Sequence, residues 1–325
     1  MIPAKEICEA YEIGGILNIS KVEGGLLNDN YKLETTTGSY FVKSVRVAAR
    51  ERLAGTYAVE NYMRGQGILA VVMLKTKSDV IAYSEGEMVY TLYPFIEGER
   101  GSLTSLEHNV ARGKLLAEIH RAGEREEAKV IQVKQCKDPK KSECIERIQK
   151  YEERIRAKAK RNPMDEIFLG YIAIRLEALK HTQPIELANT TLIHGDYHAG
   201  NLLFRPSTNE IVGVCDWEKA EWAPRSYELA RAILYMYIKH ANDLEEALNH
   251  LKVFLQAYTS VYPISKQELA DGLQFRFYRI LCQTWLEEKH YDNNDTRADH
   301  LVEREGTLIK LLQDPAERDA ILACL

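Results

Sequence analysis

Two short apolar runs set the strongest constraint on what this chain can fold into. Leu202-Leu203-Phe204 and Ile211-Val212-Gly213-Val214 are β-type segments separated by a polar stretch, residues 205–210, and that pattern closes into a hairpin. Both ends of the hairpin are rich in reactive side chains. His194-Gly195-Asp196-Tyr197-His198 and Asn201 precede the first run, and Asp216-Trp217 follows the second. A hairpin of this size uses up the twenty residues from Asp196 to Asp216, so it returns Asp216 to the side of Asn201.

Three readings fit these residues. On a strand His194, Asp196 and His198 point to one side, and two imidazoles with a carboxylate suit a transition metal. Gly195 and Ala199-Gly200-Asn201 favour a loop instead, and no HExxH or CxxC accompanies them. A structural reading, in which the histidines satisfy buried backbone groups, is the favoured one for His194 and His198 taken singly. The third reading rests on the spacing Asp196-x4-Asn201. Phosphoryl transfer needs a carboxylate beside the acceptor hydroxyl to orient it and take its proton, and oxygen ligands for magnesium on the phosphates. Protein kinases supply these as His-Arg-Asp-x4-Asn with an Asp beyond a short hairpin. The spacing here is the same.

The rest of the chain divides by composition of structure. Residues 31–46 hold two β-type runs about Thr37-Gly38-Ser39, and a helix is predicted over 50–67, closing on glycine. Extended runs follow at VVMLKTK and at VIAYSEGEMVYTLY, the latter with a turn at Ser84-Glu85-Gly86-Glu87. These predict a small sheet with one helix on it. The glycines of FIEGERG (95–101) mark a joint. Beyond it LEHNVARGKLLAEIHRAG has helical periodicity to Gly123, residues 124–161 are a charge-dense helical face, and from Ser226 onward almost everything fits helices.

With 325 residues, 45% of them hydrophobic, the chain can bury a core of about two domains. A net charge of −5 argues against nucleic acid as partner. No run is long enough to span a bilayer, and the N-terminus lacks a secretory signal. The six cysteines are scattered without CxxC, which predicts reduced thiols and a cytoplasmic setting.

LIHGDYHAGNLLF and VCDWEKAEWAPRSYELAR resemble the catalytic and metal-binding loops of the aminoglycoside phosphotransferase/choline kinase-like family, small-molecule kinases with a protein-kinase-like fold. Gly195 before Asp196 is that family's variant of the protein-kinase Arg-Asp. Glu228 departs from the Asp the family commonly carries there, in a helix-start position read as structural. The resemblance implies an α+β, two-lobed fold: a small antiparallel-sheet N-lobe, residues 1–97, with a hinge near 92–98, and a large mainly helical C-lobe, residues 98–325. It implies Asp196 as base, Asn201 and Asp216 as Mg²⁺ ligands, His194 as a brace of the loop, and ATP or GTP as donor.

A kinase site also demands a strand lysine on the phosphates, fixed by a helix glutamate. Lys43, at the end of SYFVKSVR with Phe41 and Val45 on its face, meets the first demand. Glu60, which shares a helix face with Leu53 and Tyr57, is favoured for the second. Glu51 is the alternative, but at a helix start a carboxylate already has a dipole reason to be present. The resemblance places nucleotide over Gly24 and Gly25. It also likens TLYPFIEGE to the hinge of the spectinomycin phosphotransferase-like branch, with the Pro94 carbonyl and Ile96 NH on the adenine and Tyr93 beside it.

For the acceptor, the acidic stretch WLEEKHYDNNDTRADHL (285–301) reads as a rim that attracts a cationic molecule, or as a solvated helix-loop-helix. Glu218, Trp285, Glu288 and Asp292 are the candidate substrate residues. Trp217, Trp222 and Trp285 form an apolar wall or pack in the core. The leading function is therefore phosphorylation of a hydroxyl on an aminoglycoside or similar aminated small molecule, an antibiotic-resistance chemistry. The alternatives are a metabolite kinase for a homoserine-, choline- or sugar-like alcohol, and a kinase-fold binding or coat protein with little turnover.

Overall fold

The computed structural model describes residues 2–22, 29–46, 50–240 and 243–325. Gly24 and Gly25, expected near the nucleotide, lie outside the described residues. The chain forms two compact units, each assembled from separate stretches of sequence. The first comprises residues 1–102, 118–134 and 192–222, and the second 103–117, 135–191 and 223–325.

In the first unit helix α1 (Ala4–Tyr11) precedes strands β1 (Ile16–Val22), β2 (Asp29–Thr35) and β3 (Gly38–Arg46). Helix α2 (Arg50–Gly65), β4 (Tyr83–Glu85) and β5 (Met88–Pro94) follow. The five strands make one antiparallel sheet in the order β1-β2-β3-β5-β4. Alternation along β3 sends its residues to opposite faces. Val42 joins Leu33, Leu92 and Tyr90 against Ile7, Cys8 and Tyr11 of α1, while Val45 joins Val89, Leu53 and Met73. Burying each such aliphatic side chain contributes roughly 1.5–3 kcal/mol.

Local chemistry moves two of the sequence-predicted boundaries. The β2–β3 turn falls on Thr36-Thr37, with Thr35 opposite Gly38, one residue earlier than expected. The Thr35 hydroxyl donates to the Gly38 carbonyl at 3.1 Å and so closes the turn from its side chain. VVMLKTK is not a ladder strand. Its NH groups go elsewhere, Val71 to the Val214 carbonyl and Leu74 to the Leu92 carbonyl, and Met73 to a carboxylate described below. The short helix α1 was not anticipated.

A second small sheet, β6-β8-β9, joins β6 (Glu99–Arg100), β8 (Leu202–Phe204) and β9 (Ile211–Val214). The predicted hairpin is its core, with Leu202 opposite Val214 and Leu203 opposite Gly213. Strands β7 (Thr191–Ile193) and β10 (Glu221–Ala223), all but one residue of each in the first unit, form a pair.

The second unit is helical. It holds the first part of α3 (Leu106–Gly123), then α4 (Lys141–Arg156), α5 (Pro163–His181), α6 (Arg225–Lys239), α7 (Leu244–Val261) and α8 (Lys266–Cys282). A short α9 (Trp285–Glu287), α10 (Leu301–Gln313) and α11 (Pro315–Ala323) complete it. Helix α5 starts on a capping box: Asn162 accepts from the Asp165 NH, and Asp165 accepts from the Asn162 NH, which satisfies two donors a helix start leaves open. Gly272 lets α8 approach α6 closely, since a Cβ there would stand 2.3 Å from the Ser226 carbonyl oxygen. Glu228 is buried in the first turn of α6. Among the described residues no helix is long and apolar enough to cross a membrane.

Candidate active site

The hairpin does what its sequence implies. The Cys215 NH donates to the Asn201 carbonyl at 2.9 Å, so Asn201 and Asp216 leave the two strands side by side. The Asn201 amide nitrogen donates back to the Asp196 carbonyl at 2.9 Å, which tethers the loop carrying Asp196. Asn201 is buried.

His194 joins the two loops. The Asp196 NH points at its Nδ1 at 3.2 Å, so Nδ1 accepts, and Nε2 therefore carries the proton it donates to the Cys215 carbonyl at 3.0 Å. Its ring lies 4.4 Å from that of Trp217, whose indole NH donates to Val214 at 3.1 Å. His198 accepts from the Gly200 NH through Nδ1. With both His194 nitrogens spent on the backbone, the transition-metal reading has no place here.

Gly195 holds a left-handed φ of +79°, and a Cβ on it would lie 1.9 Å from the Lys219 carbonyl oxygen. Only glycine accommodates both. Asp216 also takes a positive φ, +65°, which turns its carboxylate out of β9.

Lys43, opposite Thr91 in the sheet, extends from the face it shares with Val45. Its Nζ lies 2.9 Å from Asp216 Oδ1 and 2.7 Å from Glu218 Oε1. The lysine side chain is 10% exposed and the Asp216 side chain 41%, so a buried cation meets a carboxylate that solvent reaches. Burial opposes the lysine's charge, but the two carboxylates outweigh it and raise its pKa. Burial likewise pushes the Asp216 carboxyl up, and the Lys43 charge and hydrogen bond overcome this and hold it below the ordinary range.

Glu60 sits on the buried stripe of α2 with Leu53, Thr56, Val59 and Met63, whereas Glu51 is exposed. Its carboxylate accepts from the Met73 NH at 2.9 Å and from the Tyr93 hydroxyl at 3.3 Å. Among the described residues the ion-pair partners of Lys43 are Asp216 and Glu218, not Glu60. Burial raises the Glu60 pKa to about 8, against the lowering effect of those two donors and of Lys43. Tyr93 thus aims its hydroxyl at Glu60. Pro94 ends β5, and Ile96 lies beside Gly213 of β9 with Val71 and Leu203.

Sequence reasoning missed Lys219, whose Nζ lies 2.8 Å from Asp196 Oδ2. The available signal was its position, three residues past Asp216. Glu218, read as a substrate residue, contacts Lys43 at 2.7 Å.

The other acceptor candidates lie in the second unit, where the acidic stretch is largely neutralised from within. Glu287 is buried against Arg175, and Asp292 pairs with Arg154 at 2.6 Å. Asp295 takes Lys289 and Arg297, each at 2.8 Å, and Asp299 takes His290 at 2.9 Å. Glu288 is exposed and accepts from Thr284 at 2.5 Å, and Trp285 is half-buried. Trp217 and Trp222 are core residues.

That unit also gathers His240, Glu246 and His250, the residue types of a metal site. Asn109 decides their state. Its amide oxygen accepts from Arg112 at 2.6 Å, so its NH2 faces Leu103 and His250 Nδ1 at 2.9 Å. The His250 proton then stands on Nε2, toward Glu246 at 3.7 Å, where a metal ligand needs a lone pair. Burial and the neighbouring His240 lower the His250 pKa. This is a hydrogen-bonded cluster rather than a ligand set.

Comparison with known proteins bears on the same residues. The model of the phosphotransferase enzyme family (APH) matches residues 18–264. Homoserine kinase of Gluconobacter oxydans (strain 621H) is 26% identical over 317 residues, covering 93% of this chain and 90% of its own. Among solved structures, spectinomycin phosphotransferase in complex with ADP and spectinomycin aligns with a TM-score of 0.66 at 17% identity, over 99% of this chain and 97% of that one. A microcompartment-associated aminopropanol kinase aligns at 0.65 with 11% identity, over 98% of each. The fold is therefore the expected α+β, protein-kinase-like one, a five-stranded antiparallel sheet with a mostly helical remainder. The chain belongs to the phosphotransferase enzyme family and is a small-molecule kinase.

Proposed function

We propose that the chain moves the γ-phosphoryl group of ATP or GTP to the hydroxyl of a small amino alcohol of the homoserine type. The contact of Lys43 with Asp216, beside the loop that carries Asp196 and Asn201, carries this reading. Lys43 takes the nucleotide phosphates, with buried Glu60 and half-buried Tyr93 as the polar support behind it. Residues 1–97 serve as the nucleotide lobe and 98–325 as the acceptor-bearing lobe. The hinge near 92–98 offers the Pro94 carbonyl and Ile96 NH to the base. Solved relatives hold ADP or AMP, which supports a nucleotide donor.

The donor set suits magnesium, which prefers hard oxygen ligands. Asp216 presents an exposed carboxylate, Glu218 lies beside it, and Asn201 commits its amide nitrogen to Asp196 and turns its oxygen elsewhere. Asp216 and Asn201 would hold the ion there, and it would supply positive charge against the phosphates. Asp196 orients the acceptor hydroxyl and takes its proton as the bond to phosphorus forms.

Two observations favour a small acceptor over a polycationic aminoglycoside. Three carboxylates of the acidic stretch, Glu287, Asp292 and Asp295, already have cations of their own, which weakens steering of a polyamine. The curated relatives from several bacteria are homoserine kinases. The aminoglycoside reading keeps the support of the spectinomycin phosphotransferase fold.

An acceptor panel of homoserine, choline, aminopropanol, spectinomycin and aminoglycosides, read by transfer of labelled phosphate with Mg·ATP and Mg·GTP, tests the proposal. Transfer to homoserine or a close amino alcohol supports it. Transfer to an aminoglycoside alone overturns the acceptor class.

A further inference from the structure

Lys219 has no part in the proposed transfer, yet its ammonium contacts Asp196, the proposed base. It closes a single turn, Trp217–Lys219, anchored on both sides. Trp217 is fully buried against His194, and the Lys219 carbonyl lies on Gly195, where no Cβ fits. The backbone that carries this ammonium is therefore fixed to the backbone that carries Asp196. From that mount Nζ reaches Asp196 Oδ2 at 2.8 Å. The lysine side chain is 51% exposed and the aspartate 14%.

An exposed ion pair contributes roughly 0–1 kcal/mol to stability, so folding alone is a weak reason for this arrangement. Charge balance is a stronger one. Asp196, Asp216 and Glu218 surround the place where a triphosphate must react, with Lys43 committed to the last two. A cation beside Asp196 offsets that negative charge where an acceptor hydroxyl gives up its proton, and a preorganised charge acts there without reorganisation.

We propose that Lys219 is a positioning residue for phosphoryl transfer: its ammonium fixes the rotamer of the Asp196 carboxylate and offsets that carboxylate's charge where it takes the acceptor proton. This rests on Asp196 as the base. Lys219→Met and Lys219→Arg, assayed with the acceptor found in the panel, test it. The Met variant is expected to lose about 10–100-fold in kcat, as for one electrostatic contact of a site. Its nucleotide KM should stay within about 2-fold and its urea midpoint should not move, while Arg restores kcat to within about 3-fold. On an Asp196→Asn background the Met change should add no more than about 2-fold, because Lys219 acts through Asp196.

Wild-type kcat in Lys219→Met, with Asp196→Asn impaired, overturns this inference and leaves the base assignment standing. A full multiplicative loss in the double variant also overturns it. Wild-type turnover in Asp196→Asn shows instead that the base itself was misassigned.

Discussion

Glu60→Gln should make the nucleotide-free protein more stable at neutral and alkaline pH. The Glu60 carboxyl is 1% exposed, and its pKa rises from an ordinary 4.5 to about 8, chiefly through burial. A pKa raised by folding means that the protonated group is the one the fold accepts. Its stabilising contribution is complete below about pH 4.5 and is lost as pH climbs through about 8. At about 1.4 kcal/mol per pKa unit, ionisable Glu60 costs the folded chain roughly 3 kcal/mol at pH 7 relative to a neutral isostere, and roughly 5 kcal/mol above pH 9. Glutamine keeps an oxygen for the Met73 NH, and its NH2 can donate to the Tyr93 hydroxyl, so both contacts survive in altered form. Urea denaturation followed by circular dichroism from pH 4.5 to 9 should show a gap between variant and wild type that opens with pH and levels off beyond 8. A gap that does not vary with pH, or a variant less stable than wild type at pH 8, would refute the burial argument.

Two further outcomes follow from the same geometry. Asp216→Ala should abolish metal-dependent nucleotide binding in a calorimetric titration with Mg·ATP, and unchanged affinity would remove Asp216 from the metal site. Gly195→Ala should destabilise the protein by about 2–4 kcal/mol, since a left-handed φ costs an L-residue about 1–2 kcal/mol and the new Cβ meets the Lys219 carbonyl. Thermal melting within a degree or two of wild type would contradict that packing.

Much of this arrangement was legible where local pattern and spacing decide it. Alternation placed β3 and β5, and the apolar runs 202–204 and 211–214 predicted the hairpin that returns Asp216 to Asn201. The helical stripe placed Glu60 inward. What the sequence hid depends on groups that satisfy one another at a distance. VVMLKTK reads as an extended run, yet its NH groups go to Glu60 and to separate carbonyls rather than to one ladder. The Lys219–Asp196 contact depends on positive φ at both Gly195 and Asp216, which spacing does not reveal. An open rim was one of two readings of the acidic stretch 285–301 because Arg154 and Arg175, two of its partners, lie more than a hundred residues earlier.

The central claim is that Asp196 acts on the acceptor hydroxyl while Lys43 and Asp216 hold the nucleotide. The most direct measurement compares wild type with Asp196→Asn for both Mg·ATP affinity and phosphate transfer to the identified acceptor. Affinity should be unchanged and turnover lower by about 10²–10⁴-fold, the loss expected when acid–base help is removed. Equal turnover in the two proteins would contradict it.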